Sequence, residues 1–299
     1  MLGCLSAQGQ TITETFGSGV NQFSIDFVHI GNPGNAADGN GLGHVNYDFR
    51  IGKYEVSKEQ FLKASVGGVA DMGYFGRAGA NSEWRPATGV TWVEAARFVN
   101  FLNTNSGYQR AYKINEHNSL ELWASSDYGY DSSNKVRNIY AKYFLPSTDE
   151  WYKSAFGNPG GAWHLFATGG DISPISVYDG TSGAVYQRPW NDGPAMIFDA
   201  GGLSGWGTMA QSGNVQEWLE TASDGENNSN SEDRAIRGGS WFSTSSEISS
   251  VSQKSLPPWS DSQSQETGFR IAMVPEPSSL SLLLAGGAVL MAGRRRKRD

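Results

Sequence analysis

The chain has 299 residues, of which 38 are glycine and one, Cys4, is cysteine, and its 23 basic and 30 acidic side chains give a formal net charge of −7. A hydrophobic fraction of 38% with 12% aromatic residues can supply a core, which excludes a wholly disordered chain. The single cysteine excludes an internal disulfide and a cysteine-cluster metal site, and the acidic balance argues against binding to nucleic acid.

The first residues do not form a complete signal peptide. Residues 1–10 lack a basic start and contain too few apolar residues for the hydrophobic region of such a signal. We interpret residues 1–21 as an N-terminal segment that includes the remnant of a truncated signal peptide. A start codon placed at the wrong position is the alternative.

Three capping boxes predict the starts of three helices, because each pairs a hydroxyl side chain with a glutamine or glutamate three residues later. They are Ser57–Gln60, Thr91–Glu94 and Ser147–Glu150. Apolar residues at helical spacing extend the second helix to Asn103, and Gly157 ends the third.

The rest of the body predicts short strands and long loops. Apolar and polar side chains alternate from Tyr47 to Ile51, as in a half-buried strand. Residues 224–233 are rich in oxygen ligands but lack the calcium-loop spacing, which predicts a solvated loop. Residues 240–267 contain 11 serines and lie between turn-rich and core-like segments, which predicts a long loop within the domain. Together these features predict a loop-rich α+β fold.

Six sequence blocks, in this order, resemble the formylglycine-generating enzyme, or sulfatase-modifying factor, family. The blocks are Tyr54–Phe61, Arg85–Phe98, Leu145–Trp151, Gly213–Trp218, Arg237–Trp241 and Gly268–Arg270. The resemblance extends over residues 22–273, which we take as one domain, and it implies a C-type-lectin-like fold with little regular structure.

The resemblance also implies a difference in chemistry. Aerobic members of the family oxidise a substrate cysteine with two cysteines that bind copper. The matching positions here are Ser243 and Ile248. A protonated hydroxyl cannot replace a thiolate as a soft-metal ligand, and isoleucine has no donor atom. We therefore expect no copper and no oxidation of cysteine by that mechanism.

Other relatives hold a nonheme iron through histidines. This chain has four, which are His29, His44, His117 and His164, and none forms a His-x3-His pair. Each is expected to be a surface or hydrogen-bonded residue, although an iron site assembled from distant residues is left open.

A calcium site is implied in part by the block at residues 213–218. Family members bind the ion through main-chain carbonyls and a glutamate, which correspond to Gly213, Val215 and Glu217. A further side-chain oxygen is missing because its position is Ala210, and Gln216 replaces the usual aromatic residue. The alternative is that Glu217 has a structural role in the turn.

Further residues match positions around the substrate groove of the family, namely Ser240, Trp241 and Arg270, with Ser243 beside them. A serine nucleophile needs a histidine or lysine base, and no local sequence supplies one. Arg270 is expected either to form a structural ion pair or to anchor a carboxylate or carbonyl ligand.

The C-terminal residues 274–299 form a separate unit. Pro275, Glu276 and Pro277 precede sixteen uncharged residues, 278–293, which as a helix would rise about 24 Å. The cluster that follows begins with Arg294, Arg295 and Arg296; residues 294–299 carry a net charge of +4, so the remaining 293 residues carry −11.

This order resembles the PEP-CTERM sorting signal of exported bacterial proteins. The resemblance implies a transmembrane helix over residues 278–293, a cytoplasmic basic end and cleavage near residues 275–277 by an exosortase-type transpeptidase. A buried C-terminal helix with a charged end is the alternative.

We therefore predict an exported protein, anchored in the inner membrane before processing and then placed at the cell surface or in the extracellular matrix. Its domain is expected to be a binding or structural module for a peptide, glycan or matrix ligand, and not for nucleic acid. The alternatives are an enzyme with altered, metal-dependent oxidoreductase chemistry and a protein that modifies sulfatases directly.

Overall fold

The computed structural model describes residues 10–66, 83–260 and 265–274. The strands in these residues are β1 (Thr11–Phe16), β2 (Phe23–Ile30), β3 (Phe49–Gly52), β4 (Lys113–Ile114), β5 (Leu120–Glu121), β6 (Tyr143–Phe144), β7 (Gln216–Ala222), β8 (Arg234–Arg237), β9 (Lys254–Leu256), β10 (Thr267–Gly268) and β11 (Ala272–Met273). The α-helices are α1 (Lys58–Val66), α2 (Trp92–Asn105) and α3 (Thr148–Phe156), and 3-10 turns lie at Gly19–Asn21 and Trp190–Asp192.

The strands form three sheets. The largest has the order β1-β2-β3-β11-β6 with antiparallel neighbours, the second has the order β10-β7-β8-β9 with β10 parallel to β7, and β4 pairs with β5. Mixed helices and short strands joined by long loops confirm the predicted α+β class.

Strand β1 belongs to the largest sheet although it lies within the segment 1–21 that the sequence interpretation set apart. It pairs with β2 over six residues, from Thr11 opposite Val28 to Phe16 opposite Phe23. Phe16 is buried in the main core, where its ring contacts Tyr143 at 5.2 Å between centroids. The folded unit therefore includes these residues.

All three capping boxes form as predicted. Ser57 caps α1 by exchanging hydrogen bonds with Gln60, and Thr91 and Ser147 do the same for α2 and α3. Helix α2 continues to Asn105, past the predicted end, because the main chain still forms helical hydrogen bonds until Gly107 adopts a left-handed conformation.

The predicted strand around Tyr47 is shorter at its start. Strand β3 begins at Phe49 because its partner β2 ends at Ile30, which pairs with Phe49. Phe49 and Ile51 are buried, whereas Tyr47 lies outside the strand and donates a hydrogen bond to Glu150 Oε1 at 2.6 Å.

The two segments predicted as loops, residues 224–233 and 240–267, both lie within the folded domain. Residues 224–233 connect β7 to β8 and are mostly exposed. Within residues 240–267, β9 pairs with β8 and so attaches the serine-rich segment to the second sheet. Both segments therefore lie inside the domain.

Aromatic rings fill the main core between the large sheet and helices α1 and α2. Phe61 of α1 lies 5.6 Å from Phe98 of α2, and both rings contact Phe269 edge-on. Trp92 and Trp218 are fully buried, and their indole N–H groups donate to the carbonyls of Leu219 and Val90. These bonds join α2 to the second sheet.

The chain ends lie outside the described residues, which include neither Cys4 nor residues 275–299 with the predicted helix 278–293. Within the described residues, none of the helices has the length and apolarity needed to cross a bilayer.

Candidate functional site

A buried ion pair lies where the sequence blocks meet. Glu217 of β7 and Arg270, which follows β10, are fully buried. Arg270 Nε donates to Glu217 Oε2 and Nη2 donates to Oε1, both at 2.6 Å. This two-pronged geometry is the strongest that a guanidinium and a carboxylate form.

Further contacts satisfy both partners of the pair. Trp151 of α3 donates its indole N–H to Glu217 Oε2 at 2.7 Å. The other N–H groups of the Arg270 guanidinium, on Nη1 and Nη2, donate to the carbonyls of Gly52 and Met209 at 2.9 Å. The predicted role of Arg270 as a ligand anchor is therefore not supported by its placement, because it lies in the core and not at a surface.

A second carboxylate, Glu55, is buried beside the pair. Its oxygens accept hydrogen bonds from Asn214 Nδ2 at 2.7 Å and from the Val215 N–H at 3.2 Å. Burial and the nearby negative charge of Glu217 raise the pKa of Glu55 well above its ordinary value, although Arg270 opposes this. The sequence analysis missed Glu55 because nothing in its local sequence indicates that Glu217 is close.

The backbone conformation of the turn before β7 explains the Gly-Asn pair at the start of the block at residues 213–218. Gly213 and Asn214 have φ angles of 107° and 64°, and a Cβ at Gly213 would lie 2.4 Å from the Val185 carbonyl oxygen. The turn also receives the block at 237–241, because the Trp241 N–H donates to the Asn214 carbonyl at 2.8 Å.

The predicted calcium ligands do not form a free oxygen shell in this arrangement. Both oxygens of Glu217 accept hydrogen bonds from cationic or indole donors, and Ala210 supplies no side-chain oxygen. Calcium prefers six to eight oxygen ligands, including uncompensated carboxylates. Calcium binding by Gly213, Val215 and Glu217 stays a prediction.

The two positions of the family cysteines have different surroundings. Ser243 is buried, and its Oγ accepts a hydrogen bond from the Ser240 N–H at 3.0 Å. Ile248 is also fully buried in an apolar cluster with Phe166 and Tyr186. Neither side chain supplies a thiolate, so these positions cannot repeat the copper chemistry that the family resemblance implies.

Ser240 is in contact with Ser243 and with an acidic residue. The two hydroxyl oxygens lie 3.4 Å apart, and Ser240 Oγ donates to the Glu266 carboxylate. Glu266 lies 26 residues away at the end of the serine-rich segment, so the sequence offered no sign of this contact. The described hydrogen-bond partners of the two hydroxyls include no histidine or lysine that could activate a serine nucleophile.

Exposed aromatic side chains lie over this region. Trp190 packs on buried Trp241 at 5.3 Å and meets Phe242 edge-on at 5.8 Å. Trp84 packs on Phe198 at 6.0 Å, and these four outer side chains are 38–54% exposed. We call Trp190 and Phe242, which contact each other, the aromatic strip.

The predicted groove residues Ser240 and Trp241 are fully buried, so they support this surface from below. Trp241 Nε1 donates to the Trp190 carbonyl at 3.1 Å. The surface itself is presented by side chains such as Phe242 and Trp190, which the sequence analysis did not select.

Two arginines lie next to the aromatic strip. Arg85 Nη1 donates to the Asp192 carbonyl at 3.1 Å, and the Arg188 guanidinium stacks on Tyr178 at 4.5 Å. The Nε atoms of both arginines are buried and have no hydrogen-bond partner within the described part of the chain. Burial lowers the pKa of Arg188 from its usual value.

The histidines do not come together. His29 lies 3.6 Å from Asp48, His117 lies 3.6 Å from Glu116, His164 contacts Asn158, and His44 bonds to a main-chain carbonyl. Over residues 10–66, 83–260 and 265–274, no three histidine, aspartate or glutamate side chains form a group that could hold a metal ion.

The fold and motifs place the chain in a family. Residues 40–274 match the family model described as a sulfatase-modifying factor enzyme 1-like domain, and the chain belongs to this family. Residues 274–297 match the PEP-CTERM protein-sorting motif, which marks the chain as an exported protein that carries an exosortase sorting signal. Both resemblances predicted from sequence are confirmed.

Solved structures support the same fold at low sequence identity. Treponema denticola variable protein 1 is 18% identical, with 88% of this chain and 99% of that chain covered and a TM-score of 0.64. A structure titled "Crystal Structure of CarF" is 20% identical, with coverage of 84% and 99% and a TM-score of 0.58. PvdO from Pseudomonas aeruginosa is 13% identical, with coverage of 88% and 98% and a TM-score of 0.56. No curated protein matches the chain.

Replacement of Glu217 by glutamine tests the central ion pair. The variant leaves the Arg270 guanidinium buried without its anion, which should lower the free energy of unfolding by about 3–5 kcal/mol. Urea unfolding followed by tryptophan fluorescence measures the loss. Glu121→Gln is the control, because the Glu121 side chain is partly exposed and lies 4.0 Å from Lys113, so the change should cost less than about 1 kcal/mol. Equal losses in the two variants would contradict a central role for the pair.

Glu55 should make the stability of the domain depend on pH. Its carboxyl keeps its proton in the folded state at pH values where the unfolded chain, with a pKa near 4.5, has lost it. The folded state then binds more protons, so stability falls as pH rises above that value, by up to about 1.4 kcal/mol per pH unit.

The Glu55→Gln variant isolates this contribution. Its altered hydrogen bonds to Asn214 and Val215 add an offset that does not vary with pH, whereas the titration of residue 55 is gone. The difference in unfolding free energy between wild type and variant should therefore change from pH 5 upwards in favour of the variant. A constant difference over this range would show that Glu55 ionises normally.

Proposed function

We propose that this exported protein uses its sulfatase-modifying-factor domain to bind a ligand at the cell surface or in the extracellular matrix. The observation that carries the proposal is the combination of Ser243 and Ile248 at the family's cysteine positions with an exposed aromatic strip above them. A site without thiolates that presents exposed aromatic side chains is better suited to recognition than to oxidation.

The sorting signal defines where the domain would act. We propose that residues 278–293 hold the chain in the inner membrane and that the basic residues Arg294, Arg295 and Arg296 keep its end in the cytoplasm. An exosortase-type transpeptidase then cleaves near Pro275–Pro277. The acidic domain leaves the basic tail behind and reaches the surface or matrix.

The ligand is a peptide, a glycan or a matrix component. The domain is a C-type-lectin-like scaffold, in which loops carry the recognition surface. Aromatic faces such as those of Trp190 and Phe242 pack on sugar rings or apolar side chains. Arg85 and Arg188 add positive charge near this surface, which favours a ligand with a carboxylate group.

The aromatic strip provides the direct test. In the Trp190→Ala, Phe242→Ala double variant, binding to surface material isolated from the producing cells should weaken by at least about tenfold, because exposed aromatic residues dominate such interfaces. The Trp190 carbonyl that accepts from Trp241 is retained, so the fold should persist. Labelled full-length protein and a sedimentation assay measure the binding.

Two comparisons make this assay specific. Val20→Ala removes a more exposed apolar side chain from the turn at Gly19–Asn21 and should leave binding unchanged. Treating the surface material with protease or with periodate separates a protein ligand from a glycan ligand. Undiminished binding by the double variant would refute the role of the strip.

The alternative is an enzyme of the same family with altered, metal-dependent chemistry. Elemental analysis of the purified full-length chain distinguishes the two. We expect calcium or no metal in stoichiometric amount. Iron or copper at one equivalent would favour the enzyme, and formylglycine in a co-expressed sulfatase peptide would establish direct modification of sulfatases.

A further inference from the structure

A cavity lies beside the C-terminal half of α3 and shares no residue with the aromatic strip. It has a volume of about 260 Å³, and its lining includes Asn32, Lys153, Gly157, Asn158, Trp163 and Trp206. Neither the family motifs nor the proposed ligand surface uses these side chains. Two of them carry hydrogen-bond donors that the described residues do not fully use.

Lys153 is the charged group of this cavity. It is only 1% exposed, and its Nζ donates one hydrogen bond, to the Asn32 carbonyl at 2.9 Å. No carboxylate among the described residues lies within ion-pair distance of it, and Asp48 acts on it only from further away. Burial lowers the pKa of Lys153 to about 8. A buried ammonium without a counter-ion is costly, so an anion would be stabilised beside it.

Trp206 supplies the second donor. It is 4% exposed, and its buried Nε1 has no hydrogen-bond partner within the described part of the chain. A Cβ built at Gly157 would lie 3.4 Å from this Nε1 and 3.1 Å from the Trp163 ring. Because residue 157 is glycine, no side chain fills the gap between this indole N–H and the Trp163 ring.

We propose that this cavity binds a small organic carboxylate. One carboxylate oxygen accepts from the Lys153 ammonium, the other accepts from the Trp206 N–H, and the body of the ligand packs on Trp163. One ammonium and one indole N–H match the two oxygens and single charge of a carboxylate. A phosphate has more charge and more oxygen atoms than these two donors can satisfy. The Asn158 side chain is already used by His164 and the Ala162 N–H.

Calorimetric titration of the full-length chain with acetate, benzoate and N-acetylglycine tests the proposal. At least one of these probes should bind with a dissociation constant in the millimolar range or below. Lys153→Met should weaken that binding by at least about tenfold, because a charge-assisted hydrogen bond is lost. Trp206→Phe keeps the ring but removes the N–H and should weaken binding severalfold. Lys113→Met, at a surface lysine that pairs with Asp127, should change nothing.

The pH profile of the wild-type chain supplies a readout without any substitution. The carboxylate probes stay ionised above pH 6, so their affinity should fall as the pH rises through about 8 and Lys153 loses its proton. The other titratable groups near the cavity are His164, which contacts Asn158 and Asp171, and Asp48, which acts on Lys153 from further away.

Several results would overturn the proposal. Failure of all three carboxylates to bind saturably would mean that the cavity holds only water. Tighter binding of inorganic phosphate, or equal binding of benzamide and benzoate, would contradict recognition of a carboxylate. Affinity that is independent of pH between 7 and 9 would exclude Lys153 as the charged partner.

Discussion

A fully buried charge can persist in a protein only if an opposite charge and enough hydrogen bonds surround it, and this constraint governs the centre of the domain. The buried positive charge of Arg270 is balanced by Glu217, which accepts two of its hydrogen bonds. Trp151 and the Gly52 and Met209 carbonyls complete the environment. Helix α3, strand β3, the turn before β7 and the segment after β10 are thereby fixed around one pair. In a domain with few long elements, this pair takes over the organising role that a larger sheet has elsewhere.

Local sequence signals correctly predicted the structural features that depend on residues close together in the chain. Capping boxes located the starts of all three helices because the hydrogen bonds that form them join residues three apart. The order of the six short sequence blocks identified the family. By contrast, β1 was missed because its place in the sheet depends on pairing with β2, and exposed β1 side chains show no strong pattern.

The site was predicted less completely because it depends on contacts between distant residues. Glu217 and Arg270 are 53 residues apart, and the sequence analysis assigned them to two different roles, a calcium site and a ligand groove. Nothing local indicates that they form one buried pair. The aromatic strip was missed for a similar reason, since Trp190 and Phe242 are 52 residues apart and become neighbours only through long loops. A sequence also does not show which tryptophans stay exposed. The donors of Lys153 and Trp206 likewise meet only in the folded chain.

The position of β11 has a mechanical consequence for a protein held at its C-terminus. The strand lies between β3 and β6, and Met273 pairs with both Arg50 and Tyr143. The Val274 N–H bonds to the Lys142 carbonyl, one residue before Pro275. A force applied at the C-terminal end would therefore act directly on an interior strand of the largest sheet. The hydrogen bonds on both sides of that strand would oppose it.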